Sequence, residues 1–371
     1  MTRYRFITIQ ALRSLFAVAF AMVIMTVGVA AEPIGGDVAL HGMLPQKDAW
    51  RAYKARFVTA QGRVVDTANG LVSHSEGQGY GMLLAVAADD RDSFERIWGW
   101  TSANLFVRND GLAAWRWEPG KRPAVADVNN ASDGDLLIAW ALVEAATAWP
   151  EPSYRVAARR MALDIGRKLV LFNTSMGSLL LPGASGFAAE DRADGPVLNL
   201  SYYVFPAFAR LPLVAPEFDW NSLVTTGLRM IDNAHFGLAK LPSDWVALKS
   251  GQLQPAAGFT AEFSYNAIRI PLYLAWAGFD QPRYHSSFLE VWGKRGSRGF
   301  PLVDLAKGQP SAWVEEASYE GIPALSACAM KGVSFPSHLR SAQALDHYYP
   351  ATLQLLTLIA ARMRYPACLK D

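Results

Sequence analysis

The chain has 371 residues, of which 51% are hydrophobic and 18% are charged, and its formal net charge is +2. This composition excludes a disordered chain and fits a folded protein with a large core. No charge block, low-complexity tract or Pro/Ser-rich linker marks a boundary, so one large domain after the N-terminal segment is the simplest organisation.

The first 31 residues have the pattern of a secretory signal peptide. Three arginines precede an uncharged apolar run over residues 14–29, and the small residues Ala30 and Ala31 end it. The alternative is a retained membrane anchor, but a spanning helix needs about 20 apolar residues and this run is shorter. We therefore expect cleavage near Ala31, a periplasmic or secreted protein of residues 32–371, and no stable membrane insertion afterwards.

Removal of that leader changes the charge balance. The leader holds three of the 35 basic residues and none of the 33 acidic ones, so 32 basic residues remain against 33 acidic, a net charge near −1. A near-neutral protein lacks the basic surface that nucleic acids require, so we expect no nucleic-acid partner. Cys328 and Cys368 are compatible with a disulfide and equally with two buried thiols. The histidines and cysteines form no ligand motif, so we expect no metal and no cofactor.

Hydrophobic periodicity predicts about eleven helices and few strands in the rest of the chain. The predicted helices cover residues 50–58, 76–88, 94–105, 133–147, 155–171, 202–211, 220–234, 265–277, 282–294, 317–330 and 345–363. Residues 108–130 and 173–199 are loop-like, with a short hairpin around 178–181. The pattern favours an all-α protein built as a closed array of helix pairs. A solenoid would show a repeat period of 20–50 residues, and the sequence has no such period.

The stretch SEGQGYGM at residues 75–82 places one carboxylate, Glu76, among three glycines just before an apolar run. Glycine lets a ligand approach the backbone closely, so Glu76 is a candidate for chemistry. The structural alternative is that Ser75 and Gln78 form a capping box, and that the acid complements the helix dipole.

Two other predicted helices also begin with polar groups. Asp133 and Asp135 lie at one start, and Asn266 at another is followed one turn later by Arg269. Each is compatible with helix capping alone. Together they predict several helices that begin at one face, where their polar first turns converge.

Aromatic residues beside predicted loops favour a sugar ligand. Trp115, Trp117, Tyr202 and Tyr203 lie in or next to loops, although core packing explains most aromatic residues in this chain. Flat apolar rings suit the faces of sugar rings, and two carboxyl groups that flank a bond suit glycoside hydrolysis.

Four segments resemble motifs of glycoside hydrolase family 8, and in particular of the endoglucanases associated with bacterial cellulose synthesis. SEGQGYGM at 75–82 resembles the acid motif, and NASDGDLLIAWALVEA at 130–145 resembles the A-S/T-D-G-D signature. NLSYYVFPAF at 199–208 resembles N-P-S-Y, and FSYNAIRIPLYLAW at 263–276 resembles Y-D-A-x-R-x-P. The likeness covers nearly all of residues 32–371.

This resemblance implies an (α/α)6 barrel with a substrate cleft across the inner-helix ends, and inverting endo-hydrolysis of β-1,4-linked glycans. By position, Glu76 resembles the general acid, and Asp133 the acid that binds and distorts the sugar at the cleavage subsite. Trp115 resembles a stacking platform, and Tyr202 and Arg269 resemble groups that position the sugar, the water and the base. A general acid must stay protonated near neutral pH, so burial and a nearby carboxylate have to outweigh the helix dipole at Glu76.

Asn266 departs from the family pattern. Many members have an aspartate here that activates water, and a neutral amide takes up no proton at pH 7. Inversion still needs a base across the cleft from the acid. Four local acids are candidates for this base: Glu262, Asp244, Glu190 and Asp191. Each is also compatible with a solvated loop position. If none of them is the base, Asp133 is the next candidate.

The sequence therefore predicts an endo-β-1,4-glucanase whose partner is a β-glucan chain, either cellulose or glucan leaving a cellulose synthase and export machinery. One alternative is the same fold acting on chitosan, xylan or mixed-linkage glucan, because Asn266 separates this chain from the Asp-containing cellulases. Another is a weakly active glycan-binding protein that aligns polymer during export.

Overall fold

The computed structural model describes residues 39–44, 47–294, 298–340 and 347–370. The predicted signal peptide lies outside these residues, and its boundary with the domain at 32–371 stays a prediction. None of the helices in the described ranges is long and apolar enough to cross a membrane.

Eleven α-helices within these ranges supply most of the regular structure, in agreement with the all-α prediction. They are α1 Lys47–Phe57, α2 Ser75–Ala87, α3 Arg91–Asn104, α4 Ser132–Ala148, α5 Pro152–Lys168, α6 Phe205–Arg210, α7 Trp220–Asn233, α8 Ile270–Trp276, α9 Pro282–Trp292, α10 Gly321–Lys331 and α11 Tyr348–Arg364.

The helices form an inner and an outer layer. The inner helices α2, α4, α6, α8 and α11 are buried on nearly every side. Outer helices such as α3 and α5 bury one face and present charged residues on the other. The burial pattern explains the sequence, because inner helices read as almost continuous apolar runs and outer helices as amphipathic ones.

The strands are short and lie in the connections between helices. They are β1 Ser73–His74, β2 Arg116–Trp117, β3 Val170–Thr174, β4 Gly177–Leu180, β5 Val197–Leu198, β6 Val246–Lys249, β7 Gln252–Pro255, β8 Glu262–Phe263, β9 Phe300–Asp304 and β10 Gln309–Val314. Antiparallel pairing joins β1 to β2 and β3 to β4, and orders two three-stranded sheets as β5-β6-β7 and β10-β9-β8.

Four predicted helices differ from the observed elements, and one of them is the helix at 317–330, which begins with the 3-10 turn Ala317–Glu320 before α10. The helix at 155–171 ends at Lys168, and the next residues form the hairpin β3–β4, which includes the one predicted near 178–181. The helix at 202–211 is divided between a 3-10 turn, Leu200–Tyr202, and α6. The helix at 265–277 begins with the 3-10 turn Ala267–Arg269, because Pro271 has no amide hydrogen to donate to the Ala267 carbonyl in a continuous α-helix.

The glycines of α2 serve close packing. A Cβ atom on Gly77 would lie 2.7 Å from the Tyr348 hydroxyl, one on Gly79 would lie 2.6 Å from Leu137 Cβ, and one on Gly81 would lie 2.7 Å from a methyl group of Val64. Because these neighbours surround α2 on different sides, the helix is enclosed by other elements. Our expectation that the glycines admit a ligand is therefore not needed to explain them.

The capping box that we considered for Ser75 and Gln78 is wrong. His74 precedes the helix as its N-cap and makes no side-chain cap bond. The Gln78 side chain instead accepts a hydrogen bond from the Val64 amide at 2.6 Å and donates to the Thr101 hydroxyl at 2.7 Å. Gln78 thus ties α2 to its neighbours and leaves the helix start open for other contacts.

The question left open for the two cysteines has an answer in the fold. Cys328 at the end of α10 and Cys368 after α11 form a disulfide, with their Cα atoms 6.1 Å apart. The amide of Phe335 also donates to the carbonyl of Cys368. The segment after α11 is therefore fastened to α10.

Gly134 and Gly99 offer a matched test of helix packing. A Cβ atom on Gly134 in α4 would lie 2.7 Å from the Glu76 amide nitrogen and would also meet the Ser75 hydroxyl, whereas one on Gly99 in α3 would meet nothing. We expect Gly134→Ala to lower the free energy of unfolding by about 1–3 kcal/mol through overpacking. Gly99→Ala should raise it by up to about 1 kcal/mol through helix propensity. Urea denaturation measures both, and an equal gain in the two variants would contradict this packing.

Candidate active site

A buried arginine joins the polar groups of three helix starts. Arg269 Nη1 forms an ion pair with Glu76 Oε1 and lies 3.1 Å from Asp133 Oδ2. Its Nη2 donates to the Ser201 hydroxyl at 2.8 Å and to the Asn266 side-chain oxygen at 2.9 Å. The predicted convergence of polar first turns is therefore present, and one guanidinium group connects its members.

The helices deliver these groups for local reasons. Glu76 is in the first turn of α2 and Asp133 in the first turn of α4, and Gly134 allows the two turns to touch. Arg269 ends the 3-10 turn that leads into α8. Because α2, α4 and α8 all begin at the same side of the molecule, their polar termini meet while their apolar lengths form the core.

Glu76 is the residue of α2 that reaches the cleft. Every other residue of that helix is buried, whereas the Glu76 side chain is 20% exposed. The Tyr80 hydroxyl, one turn along the helix, donates to Glu76 Oε1 at 3.0 Å and contacts the Tyr273 hydroxyl at 2.7 Å. Glu76 is thus held on one side and open to a ligand on the other.

Asp133 is buried, and this burial raises its pKa to about 7. The hydrogen bond from the Gly134 amide at 2.8 Å acts in the opposite direction. If Glu76 and Asp133 were both ionised, the two carboxylates and one guanidinium would have a net charge of −1. Retention of one proton would make the cluster neutral.

Asp244 lies directly behind Asn266. Its Oδ1 accepts the amides of Ser264 and Ala267 at 2.8 and 2.9 Å, and its Oδ2 lies 3.4 Å from both nitrogens of Asn266. Asp244 is 9% exposed, and burial raises its pKa above the usual range despite these hydrogen bonds. Of the four acids named as candidate bases, Asp244 is the one connected through Asn266 to Arg269.

The other three acids make different contacts. Glu262 belongs to β8, where its carbonyl accepts the Asp244 amide at 2.7 Å, and its carboxylate interacts with Lys307. Glu190 and Asp191 are exposed, and Asp191 accepts the Gly186 amide at 2.9 Å within its own loop. Nothing in the described structure joins these three side chains to the arginine cluster.

Of the four aromatic residues predicted at the site, Tyr203 is wrong, because it is buried in the core, where its hydroxyl accepts the Leu180 amide at 2.9 Å. Trp117 packs on Trp100, and Trp115 and Tyr202 are the two that lie next to the cluster.

Trp115 hydrogen-bonds to Asp127 at 2.8 Å, and its carbonyl accepts the Ser75 amide at the start of α2. The Tyr202 ring lies 5.6 Å from the Arg269 guanidinium carbon and packs edge-on against Trp245. Both rings are partly exposed and can therefore contact a ligand.

A cleft of about 540 Å³ opens beside the cluster. Glu76, Asn266 and Arg269 form part of its lining, together with Tyr265 and Tyr349. The Tyr349 hydroxyl donates to the Tyr265 carbonyl at 2.7 Å, which joins α11 to the segment that carries Asn266. In the described ranges no group of three potential metal ligands occurs.

Sequence reasoning missed Ser201 as a partner of Arg269. The Ser201 amide and hydroxyl both bond to the Asn199 side chain, at 3.1 and 2.7 Å, which fixes the hydroxyl for the guanidinium. A signal for this contact was present in the sequence, because Asn199 and Ser201 both belong to the segment NLSYY, which resembles a family motif.

A profile of the family described as Glycosyl hydrolases family 8 matches residues 19–362. The chain belongs to glycosyl hydrolase family 8. A probable endoglucanase of Novacetimonas hansenii is 37% identical to this family 8 enzyme over 343 residues, which cover 92% of this chain and 95% of that protein.

Two further proteins resemble this family 8 enzyme. An endoglucanase of Cellulomonas uda is 38% identical over 276 residues, covering 74% of this chain and 73% of the relative. The structure of an endo-beta-1,4-glucanase from Acetobacter xylinum superposes with a TM-score of 0.75 at 36% identity, covering 88% of this chain and 99% of that one. These likenesses confirm the predicted family and its (α/α)6 barrel.

The arginine of this family 8 enzyme can be tested through stability. Arg269→Met should lower the free energy of unfolding by about 3–5 kcal/mol, because it leaves buried carboxylates without their partner. Arg269→Lys should lower it less, since the charge remains but the planar fork that bridges several acceptors does not. Arg159→Met is the control, because Arg159 pairs with Glu217 on the surface, and it should change little. Equal losses from Arg269→Met and Arg159→Met in chemical denaturation would contradict the buried cluster.

Proposed function

We propose that this protein is an exported, endo-acting, inverting β-1,4-glucanase, with Glu76 as general acid and Asp244 as general base. The observation that carries the assignment is the chain of contacts Glu76–Arg269–Asn266–Asp244. It provides one carboxyl group at the cleft edge and a second one, anchored by backbone amides, on the other side of the arginine.

The proposed reaction needs no group beyond these side chains. Glu76 donates its proton to the glycosidic oxygen as the bond to the anomeric carbon breaks. A water molecule attacks that carbon from the opposite face and gives its proton to Asp244. Two proton transfers and one water thus account for both products, and exchange with solvent returns each carboxyl group to its starting state.

The remaining groups of the cluster bind the sugar. Asp133 and Arg269 hold the unit at the cleavage subsite, and the Trp115 and Tyr202 rings support its apolar faces. Asn266 takes a structural place between Asp244 and Arg269, donating to one and accepting from the other. An amide at this position is therefore compatible with hydrolysis, which disfavours the alternative of a weakly active glycan-binding protein.

The substrate and compartment complete the proposal. The related proteins named above are endoglucanases, so we propose cellulose or nascent β-1,4-glucan as the substrate, ahead of chitosan, xylan or mixed-linkage glucan. The disulfide fits an oxidising compartment, which supports export to the periplasm or beyond. Action beside a cellulose synthase and export machinery is part of this proposal and rests on the sequence resemblance.

Two variants test the acid and the base separately. The wild-type enzyme should release reducing ends from soluble cellulose, and NMR should show the α-anomer as the first product. Glu76→Gln and Asp244→Asn should each lower kcat by about 10²–10⁴-fold. An aryl β-cellotetraoside with an acidic phenol needs no protonation on departure, so it should restore activity to Glu76→Gln and not to Asp244→Asn.

Matched controls are available on the neighbouring acids. Glu262→Gln, Glu190→Gln and Asp191→Asn should keep kcat within a few-fold of the wild-type value. Full activity of Asp244→Asn would remove Asp244 as the base and leave Asp133 as the next candidate. A wild-type protein that binds glucan and releases no reducing ends would favour the glycan-binding alternative.

The pH profile should respond to a charge placed at residue 266. A base must be ionised, so activity is lost as the pH falls through its pKa, which burial raises at Asp244. Asn266→Asp places a second carboxylate next to Asp244, where like charges raise the pKa further. We expect the acidic limb of kcat/KM to move to higher pH. The control Asn233→Asp, at an exposed position on α7, should leave the limb unchanged, and an unshifted limb in Asn266→Asp would argue against Asp244.

A further inference from the structure

One wall of the cleft has polar side chains that the proposed mechanism does not use. Asp66 and His74 line the same cavity as Glu76. Their side chains are 14% and 18% exposed, so both are mostly buried and still reachable from the cleft. His74 is the residue before α2, two positions before Glu76, which places it close to the proposed general acid.

The two side chains face each other across a gap. Asp66 Oδ2 lies 3.9 Å from His74 Nδ1, which is longer than a hydrogen bond and suits one bridging oxygen atom. The other carboxylate oxygen, Oδ1, accepts the Ala68 amide at 3.1 Å. Within the described residues the imidazole of His74 makes no hydrogen bond, so both groups keep unfilled hydrogen-bonding capacity.

The gap is held open by the surrounding structure. The Asp66 amide donates to the Val72 carbonyl at 2.9 Å, and the Tyr348 amide donates to the Thr67 hydroxyl at 3.2 Å, which joins this loop to α11. The His74 ring stacks on Trp115, with ring centroids 6.0 Å apart and planes inclined by 9°. The pair is therefore preorganised beside the proposed sugar platform.

The protonation of His74 suits a neutral ligand. Burial lowers the pKa of His74, as does the charge of Arg116, while Asp66 acts in the opposite direction. A neutral imidazole has one donor and one acceptor nitrogen. A sugar hydroxyl matches the gap, because it donates its hydrogen to a carboxylate and accepts one from the imidazole.

We propose that Asp66 and His74 form a hydroxyl-binding subsite for a neutral glucosyl unit next to the cleavage point. This inference rests on the proposed function, since the ligand is the glucan chain itself. An aromatic platform tolerates sliding of the chain, whereas this pair binds only where a hydroxyl occupies the gap. The subsite therefore fixes the register of the glucan and determines which bond reaches Glu76.

Two variants remove the polar contacts and keep the shape. Asp66→Asn replaces the charged acceptor, and His74→Phe keeps a flat ring against Trp115 without its nitrogens. We expect each to lower kcat/KM on cellohexaose about ten-fold, the worth of one hydrogen bond to a charged group. The distribution of cleaved bonds, read by mass spectrometry of products formed in ¹⁸O-labelled water, should also shift. A structural role would slow every bond equally and leave that distribution unchanged.

A second histidine–aspartate pair provides the control. His41 Nε2 lies 2.6 Å from Asp89 Oδ1 and packs edge-on against Trp149, away from the residues that line the cleft. His41→Phe and Asp89→Asn should leave both kcat/KM and the cleavage distribution at wild-type values.

The outcomes separate this inference from the proposed function. If the wild type cleaves cellohexaose, and the variants of Asp66 and His74 keep its cleavage distribution, the subsite is overturned and the function stands. If the wild type neither binds nor cleaves cellohexaose, the proposed function fails and the subsite fails with it. Thermal unfolding of all four variants should remain near the wild type, which excludes misfolding as the cause of a shift.

Discussion

The site depends on sharing one buried positive charge between two carboxyl groups. An isolated charge is costly in a protein interior, so Glu76, Asp133 and Arg269 stabilise one another only as a set. The need to keep these three charged groups together determines where α2, α4 and α8 begin, because each helix start contributes one of them. The remaining N–H donors of the guanidinium group then bind oxygen atoms of its other neighbours, Ser201 and Asn266.

Small residues make this convergence sterically available. A charged cluster at three helix starts requires the helix backbones to approach more closely than ordinary side chains permit. Gly134 allows the first turn of α4 to touch that of α2, and Gly79 allows the same pair of helices to stay in contact one turn further on. The apolar core and the polar site are thus two consequences of the same close packing, one along the helices and one at their ends.

The periodicity of the sequence was sufficient to predict the helices and their polar first turns, because the pattern of apolar residues within each helix reflects which of its sides are buried. The periodicity could not predict that the glycines in α2 serve close packing, because their neighbours Val64, Leu137 and Tyr348 are distant in sequence. The candidate base shows the same limit. Asp244 and Glu262 are both acids near Asn266 in sequence. Only the fold shows that Asp244 contacts the Asn266 side chain, while Glu262 lies in β8 opposite Asp304 of β9.

The disulfide has a consequence for where the enzyme can work. Cys328 and Cys368 are 40 residues apart, and α11, which supplies Tyr348 and Tyr349 to the cleft wall, lies between them. In the chain-entropy model, closing such a loop raises the free energy of the unfolded chain by about 4 kcal/mol and so stabilises the folded state. In a reducing cytoplasm the chain lacks this constraint, and the helix that completes the cleft is less firmly held. Formation of this disulfide therefore stabilises the folded form in which the cleft wall is complete, and a reducing compartment removes that stabilisation.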